Sequence, residues 1–422
     1  MAQTPVRPDA KLVPIRQGVV APSRPRDPRI DAFRGLALMM IVIDHMPGNP
    51  WEEITVRNIG FSDAAEAFFI MSGIAAGIAY SPGIARWLNG AGSLWPAMAP
   101  MWRRAWQLYV VQILLTVLAL ALFGWAASTF VRAEFRDMHN LALIYEQTGP
   151  ALVGLGTLGY QIGYVNILPS YIVLLIAAPF VLMAGVRAPW LTVAASLVLW
   201  FIAGAQGWNI PNHPGGGGWF LSPYQWQAIF VIGLVIGIRH RQDQRLVPVH
   251  RGLFWGAVAL LVFIFAWRHL PGLAPIMNHK MAQLSWLGAP SNITTHNKTI
   301  LAFPRFLHIL ALAYVLSCLP LVTRLCAHPI AAPLRLMGGH GLLVFGLGTI
   351  LSLIGQIIMD VFAGQAWLPW GLPPVGVLLC YAAAVVAEAA RRASASAQRA
   401  RVTPPQPEGG DRSAPVTASA KA

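Results

Sequence analysis

Apolar blocks of about 17–23 residues recur along this chain, each long enough to cross a hydrocarbon core ~30 Å thick, and they restrict it to a bundle of membrane-spanning helices. Only 11% of its residues are charged, less than half the roughly 25% of an ordinary soluble domain. Reading the blocks in order gives about ten spans, beginning near Ala32, Asp63, Trp106, Val165, Trp190, Tyr224, Leu253, Pro304, Leu336 and Pro373. The expected fold class is therefore all-α, a polytopic integral membrane protein.

Arginines set the orientation. Arg24, Arg26 and Arg29 precede the first block. Arg86, Arg103 and Arg104 follow the second, Arg187 the fourth, and Arg239, Arg241, Arg245 and Arg251 the sixth. Arg324 and Arg335 follow the eighth, and Arg391 and Arg392 the tenth. All of these fall on one side, which the positive-inside rule makes cytoplasmic, and both termini go with it. The same distribution accounts for the formal net charge of +14. No basic stripe with interleaved aromatics appears, so the expected partner is membrane lipid and not nucleic acid.

The flanks, residues 1–28 and 393–422, are rich in Pro, Ala, Ser and Arg and read as disordered cytoplasmic tails around a membrane domain at 29–392. The chain's start lacks the apolar core of a cleavable signal. Cys318, Cys326 and Cys380 lie in or beside apolar blocks and form neither a disulfide framework nor a metal motif. No His-Glu-x-x-His, Walker or dinucleotide glycine pattern is present, so no metal is expected. Trp208, Trp219, Trp226, Trp286, Trp367 and Trp370 sit at span edges, as interfacial anchors or as platforms for sugar rings.

Chemistry concentrates where ionisable residues enter apolar helix. Arg34 and His45 lie eleven positions apart in the first block. Eleven steps make three helical turns plus ~20°, so both side chains leave one face, ~16.5 Å apart along the axis. His45 is either a satisfied core histidine or a general base. Carboxylates nearby favour the base: Asp44 adjoins it, and Asp63 and Glu66 open the second span at i, i+3. A short outer loop would carry these two acids to the depth of His45. Arg34, with Asp31 one turn earlier, is either a snorkelling side chain or a group that holds phosphate and stabilises negative charge.

Ser72 reads as packing among Gly73, Ala76 and Gly77, and no Gly-x-Ser-x-Gly elbow surrounds it. Arg305 and His308 share a face at the outer start of the eighth span, with Lys298 just upstream. This cation cluster suits an anionic acyl group or an acidic acceptor, and interfacial snorkelling is the alternative. Arg305 is the better candidate for a carboxylate, because guanidinium can grip one through two parallel hydrogen bonds. His340, in the ninth block, is a weaker candidate.

The Asp31-x-x-Arg34-Gly35 opening followed by His45 resembles the acyltransferase-3-like integral membrane acyltransferases. His45-Met46-Pro47-Gly48-Asn49-Pro50 and Arg57 through Glu66 are similar to the OpgC family, as are Leu168 through Ile172, Trp226-Gln227, Lys298-Thr299 with Arg305 and His308, and the surroundings of His340. Two departures stand out: Asn297 where the family tends to have Asp, and Gly341-Leu342-Leu343 where it often has Ser-Leu-Glu, which would leave His340 without a partner.

The resemblance implies a multi-pass protein of the bacterial inner membrane that acylates a periplasmic glucan. Acyl-CoA, on this resemblance succinyl-CoA, would be the co-substrate, with no permanently bound cofactor. His45, oriented by Asp63 or Glu66, would take a glucan hydroxyl proton or carry the acyl group transiently. Arg34 and Asp31 would serve the donor end, and Asp44, Lys298, Arg305 and His308 the substrates. A transporter or flippase of an acyl or glycan intermediate would also use ten spans with intramembrane charge. The Arg34–His45 pair with nearby acids favours chemistry, and no internal repeat indicates inverted transporter halves.

Overall fold

The computed structural model describes residues 27–402. Residues 1–26 and 403–422 of the expected tails lie outside the described part. Among the described residues there is no strand, only an isolated bridge between Pro211 and Gly218. The long elements are α1 (Pro28–Asp44), α2 (Ala64–Leu88), α3 (Leu94–Thr129), α4 (Ile167–Arg187), α5 (Pro189–Ala205), α6 (Pro223–Arg241) and α7 (Arg251–His269). They are followed by α8 (Phe303–Cys318), α9 (Pro320–Ala327), α10 (Ala332–Gly339), α11 (Gly341–Val361) and α12 (Leu368–Val402). The last helix thus runs through Val402, beyond the Arg392 boundary expected for the membrane domain.

Local sequence explains the ends. Asp27 caps α1 by accepting from the Arg29 backbone N–H, and Pro28 occupies the first turn, where its missing donor is harmless. α8 and α9 meet at an 80° bend. There Leu319 is extended, as a residue before proline prefers, and Pro320 cannot continue the hydrogen-bond ladder.

Each of the ten expected blocks is helical, but among the described residues six helices are long and apolar enough to cross a membrane: α2, α3, α4, α7, α11 and α12. The bent α8–α9 pair makes seven if it counts as one span. The shortfall against ten has a physical origin. α5 is apolar but has 17 residues. α1 also has 17 and carries Asp31 and Arg34. α6 opens Pro-Tyr-Gln-Trp-Gln and ends in Arg-His-Arg, and nearly every residue from Pro223 to Ile238 is buried. A helix wrapped by protein need not be lipophilic. By contrast α7 and α12 are peripheral, with Val262, Phe263, Leu378 and Val386 exposed.

The centre is held by close backbone approach. A Cβ on Gly73 or Gly77 of α2 would collide with the Phe230 or Leu234 carbonyl of α6, and one on Gly233 or Gly237 would strike the Ile70 or Ile74 carbonyl in return. Small residues let helices meet where apolar burial offers no driving force against lipid. α1 approaches α10 in the same way through Gly35 and Gly338. α11 then runs beside α1, Gly341 against Arg34, Gly348 against Val42 and Gly355 against Met46. Of the expected interfacial tryptophans, Trp208, Trp286, Trp367 and Trp370 are exposed. Trp219 and Trp226 are core residues, and the Trp226 indole N–H donates to the Lys298 carbonyl at 3.0 Å.

Candidate functional site

The start of α2 is a capping box. The Asp63 carboxylate accepts from the Ala65 N–H at 2.8 Å, and Glu66 reaches back to accept from the Asp63 N–H at 2.9 Å. This fixes both acids and leaves one oxygen of each facing the segment that leads into α8. Lys298 donates to Asp63 Oδ2 at 2.6 Å, Arg305 Nη2 to the same oxygen at 3.1 Å, and Arg305 Nε to Glu66 Oε1 at 2.7 Å. Two carboxylates and two cations thus close a balanced cluster in which Glu66 is fully buried. Burial alone would raise the Asp63 carboxyl; the Lys298 and Arg305 cations outweigh it and hold that group well below the usual carboxylate range.

The structure gives three of the expected site groups specific protein partners. Asp63 and Glu66 hydrogen-bond the cluster cations and backbone, with no hydrogen bond to His45. Arg305 has Nε and Nη2 engaged by those acids and is 11% exposed, so it ties α8 to α2. His308 lies buried beneath the loop that precedes α2, its Nδ1 2.6 Å from Ser62 Oγ and its ring against Gly60, where any side chain would collide with it. Lys298, at 28%, is the most exposed member of the cluster.

His45 caps the C-terminus of α1, its N–H bonded to the Ile41 carbonyl at 3.0 Å. Its Nδ1 is buried and has no hydrogen-bond partner. The ring packs edge-on against Tyr164 at 4.7 Å, and Gln356 of α11 donates to its carbonyl. Asp44 is buried and accepts from Thr55 Oγ at 2.8 Å, so it anchors the outer loop. The sequence offered no signal for Tyr164 or Gln356, which lie far from His45 along the chain.

Three turns away, Arg34 donates to the Gly338 carbonyl at 3.3 Å and lies 3.7 Å from Asp31. It lines a cavity of about 440 Å³ together with Arg104, His340, Tyr80 and Ser72. Arg34 and Arg104 give this space its charged lining, with no carboxylate among the lining residues. His340 does have a carboxylate partner: Glu388 of α12, at 3.1 Å, supplies what Gly341-Leu342-Leu343 lacks. An aromatic layer caps the cavity. Phe68, two residues further into α2 than Glu66, packs 5.5 Å from Tyr171 and 6.2 Å from Phe345, which α11 carries between its Arg34 and His45 levels.

Along α1 the arrangement places a cation-lined cavity at Arg34 and, three turns on, an imidazole with a buried Nδ1 at His45. A family model described as OpgC protein matches residues 26–392. No curated protein and no solved structure matches the chain.

Proposed function

The chain belongs to the OpgC family, a family of membrane acyltransferases that modify glucans, and from that premise we propose that it moves a succinyl group from cytoplasmic succinyl-CoA to a hydroxyl of a periplasmic glucan. In this reading ten helices cross the inner membrane with both termini cytoplasmic, so Arg34 faces the donor side and His45 the acceptor side.

The observation that carries the proposal is the buried, unpartnered Nδ1 of His45, three turns along one helix from a cation-lined cavity. A buried polar atom without a partner is costly, and a hydrogen bond to a substrate hydroxyl there would offset that cost. The cavity's chemistry suits an amphiphilic donor. Arg34 and Arg104 would take the phosphates, and a lining of Ala75, Ala76, Ala79 and Leu108 would accept the slender thioester arm.

His45 then acts as the general base. It takes the proton of a glucan hydroxyl as the oxygen attacks the thioester carbonyl. The C–S bond breaks, the ester C–O bond forms, and the imidazolium returns its proton to the departing thiolate. The Asp63–Glu66–Lys298–Arg305 cluster holds the outer ends of α2 and α8 in place around this chemistry, and Lys298 offers the outer compartment positive charge for the succinyl carboxylate.

Mass spectrometry of periplasmic glucans from a deletion strain, complemented with wild type or His45→Ala, tests the proposal. His45→Ala at normal membrane levels should abolish succinylation, since a general base contributes about 10²–10⁴-fold. Retention of more than about a tenth of wild-type transfer overturns it.

A further inference from the structure

Attack on a thioester places negative charge on its carbonyl oxygen, and that charge needs a donor about 2.7–3.1 Å away. The residues already assigned do not supply one beside His45. Arg34 is ~16.5 Å down the helix axis. Arg305 and Lys298 are engaged with Asp63 and Glu66.

The segment between α3 and α4 brings in a second imidazole. His139 packs edge-on against Tyr164, with ring centroids 5.1 Å apart, and Tyr164 packs in turn against His45. A further edge contact with Phe123, at 5.0 Å, fixes the far side of the His139 ring. Its Nε2 is buried and has no hydrogen-bond partner, as is true of His45 Nδ1. Both residues of the pair that frames His45 sit in the left-handed region, His139 at φ 56° and Tyr164 at φ 66°. Side chains other than glycine adopt that conformation at a cost, and such residues concentrate at functional sites. The Gly163 N–H donates to the His139 carbonyl at 2.9 Å and ties the two strained turns together. Gln356, which donates to the His45 carbonyl, also neighbours the His139 ring.

We infer that His139 is a second catalytic residue of the acyl transfer, its Nε2–H donating to the acyl carbonyl oxygen while His45 receives the acceptor's proton. The inference rests on the acyl-transfer reading above. Burial holds the His139 imidazole below the usual histidine range, against a smaller opposing effect of Gln356. The ring therefore stays neutral, with one N–H to donate. It gains and loses no proton: the hydroxyl proton travels by way of His45 to the thiolate, and His139 only stabilises the oxyanion while the C–O bond forms and the C–S bond breaks.

The test uses the full chain in lipid nanodiscs, with succinyl-CoA and glucan as substrates. His139→Phe keeps a ring against Phe123 and Tyr164 and deletes the N–H; His139→Gln keeps an N–H donor. His139→Phe should lower kcat about 100-fold or more, the usual loss on removing one oxyanion donor, with KM for succinyl-CoA little changed. His139→Gln should recover at least a tenth of the wild-type kcat. If His139→Phe does not reconstitute as a monodisperse protein, His139→Leu takes its place in the comparison. A phenylalanine or leucine variant with near wild-type kcat, a glutamine variant no better than either, or a loss carried by KM each overturns the inference. His45→Ala separates the two readings. If it is inactive while His139→Phe is active, only the His139 assignment falls; if it is active, the general-base reading itself falls.

Discussion

The four-residue cluster between α2 and α8 makes a quantitative prediction about what Arg305 is for. Glu66→Gln preserves the shape of a fully buried side chain and removes its charge. Arg305 and Lys298 are then left to share Asp63, whose Oδ2 already serves both. Breaking a buried pair from one side costs about 3–5 kcal/mol, because the remaining charge is uncompensated. Arg305→Met is expected to cost a similar amount, since it leaves Glu66 with the Asp63 N–H as its remaining hydrogen bond. The double variant restores balance, one carboxylate on Asp63 against one ammonium on Lys298. Its loss should therefore fall short of the sum of the single losses by about 2–3 kcal/mol, the range of strongly coupled neighbours. Denaturant titration of all four proteins in mixed micelles, followed by tryptophan fluorescence, measures the cycle. Additivity within about 0.5 kcal/mol would refute the brace. So would an Arg305→Met protein of normal stability that loses transfer of succinyl more than of acetyl; that result would return Arg305 to the role of substrate ligand.

Two further outcomes are expected. With the orientation proposed above, the segment joining α7 to α8 is outside, so Ser291→Cys, at an exposed position, should label with an impermeant thiol reagent in intact spheroplasts; labelling that requires permeabilisation reverses the topology. Asp63 is held below the usual carboxylate range by its two cations, so its contribution to stability is complete above its unfolded pKa of about 4 and is lost only as pH falls through the lower folded value. The difference in unfolding midpoint between wild type and Asp63→Asn should stay constant from pH 8 to pH 5 and shrink below pH 4, whereas a difference that fades near neutrality would contradict the ion pairing.

Much of the architecture was legible because it is local. Apolar run lengths located the helical blocks, and the 3.6-residue period placed Arg34 and His45 three turns apart, where the structure gives Arg34 the cavity and His45 a buried Nδ1. Asp63 and Glu66 at i, i+3 share the start of one helix, where they form a capping box, and Pro320 stands at the bend in the eighth block. Family membership was readable from short motifs scattered over most of the chain.

What the pattern could not show was which groups meet across the bundle. Asp63 and Glu66 were expected to serve His45, yet Lys298 and Arg305, more than two hundred residues later, take their oxygens. His340 was expected to have no carboxylate partner, and Glu388 arrives from another helix. His139 gave no motif at all, and it meets Tyr164, the ring that packs on His45, only through left-handed turns in a loop. Apolar run length located α6 but not its setting: the helix is enclosed by protein and therefore escapes the demand that lipid makes on a helix surface. Sequence fixes what a residue does within one turn of its own helix, because those neighbours come with the backbone. Partners from distant helices depend on how closely the helices approach, and here glycine contacts such as Gly73 with Phe230 and Gly338 with Asp31 set that approach before any charge finds its mate.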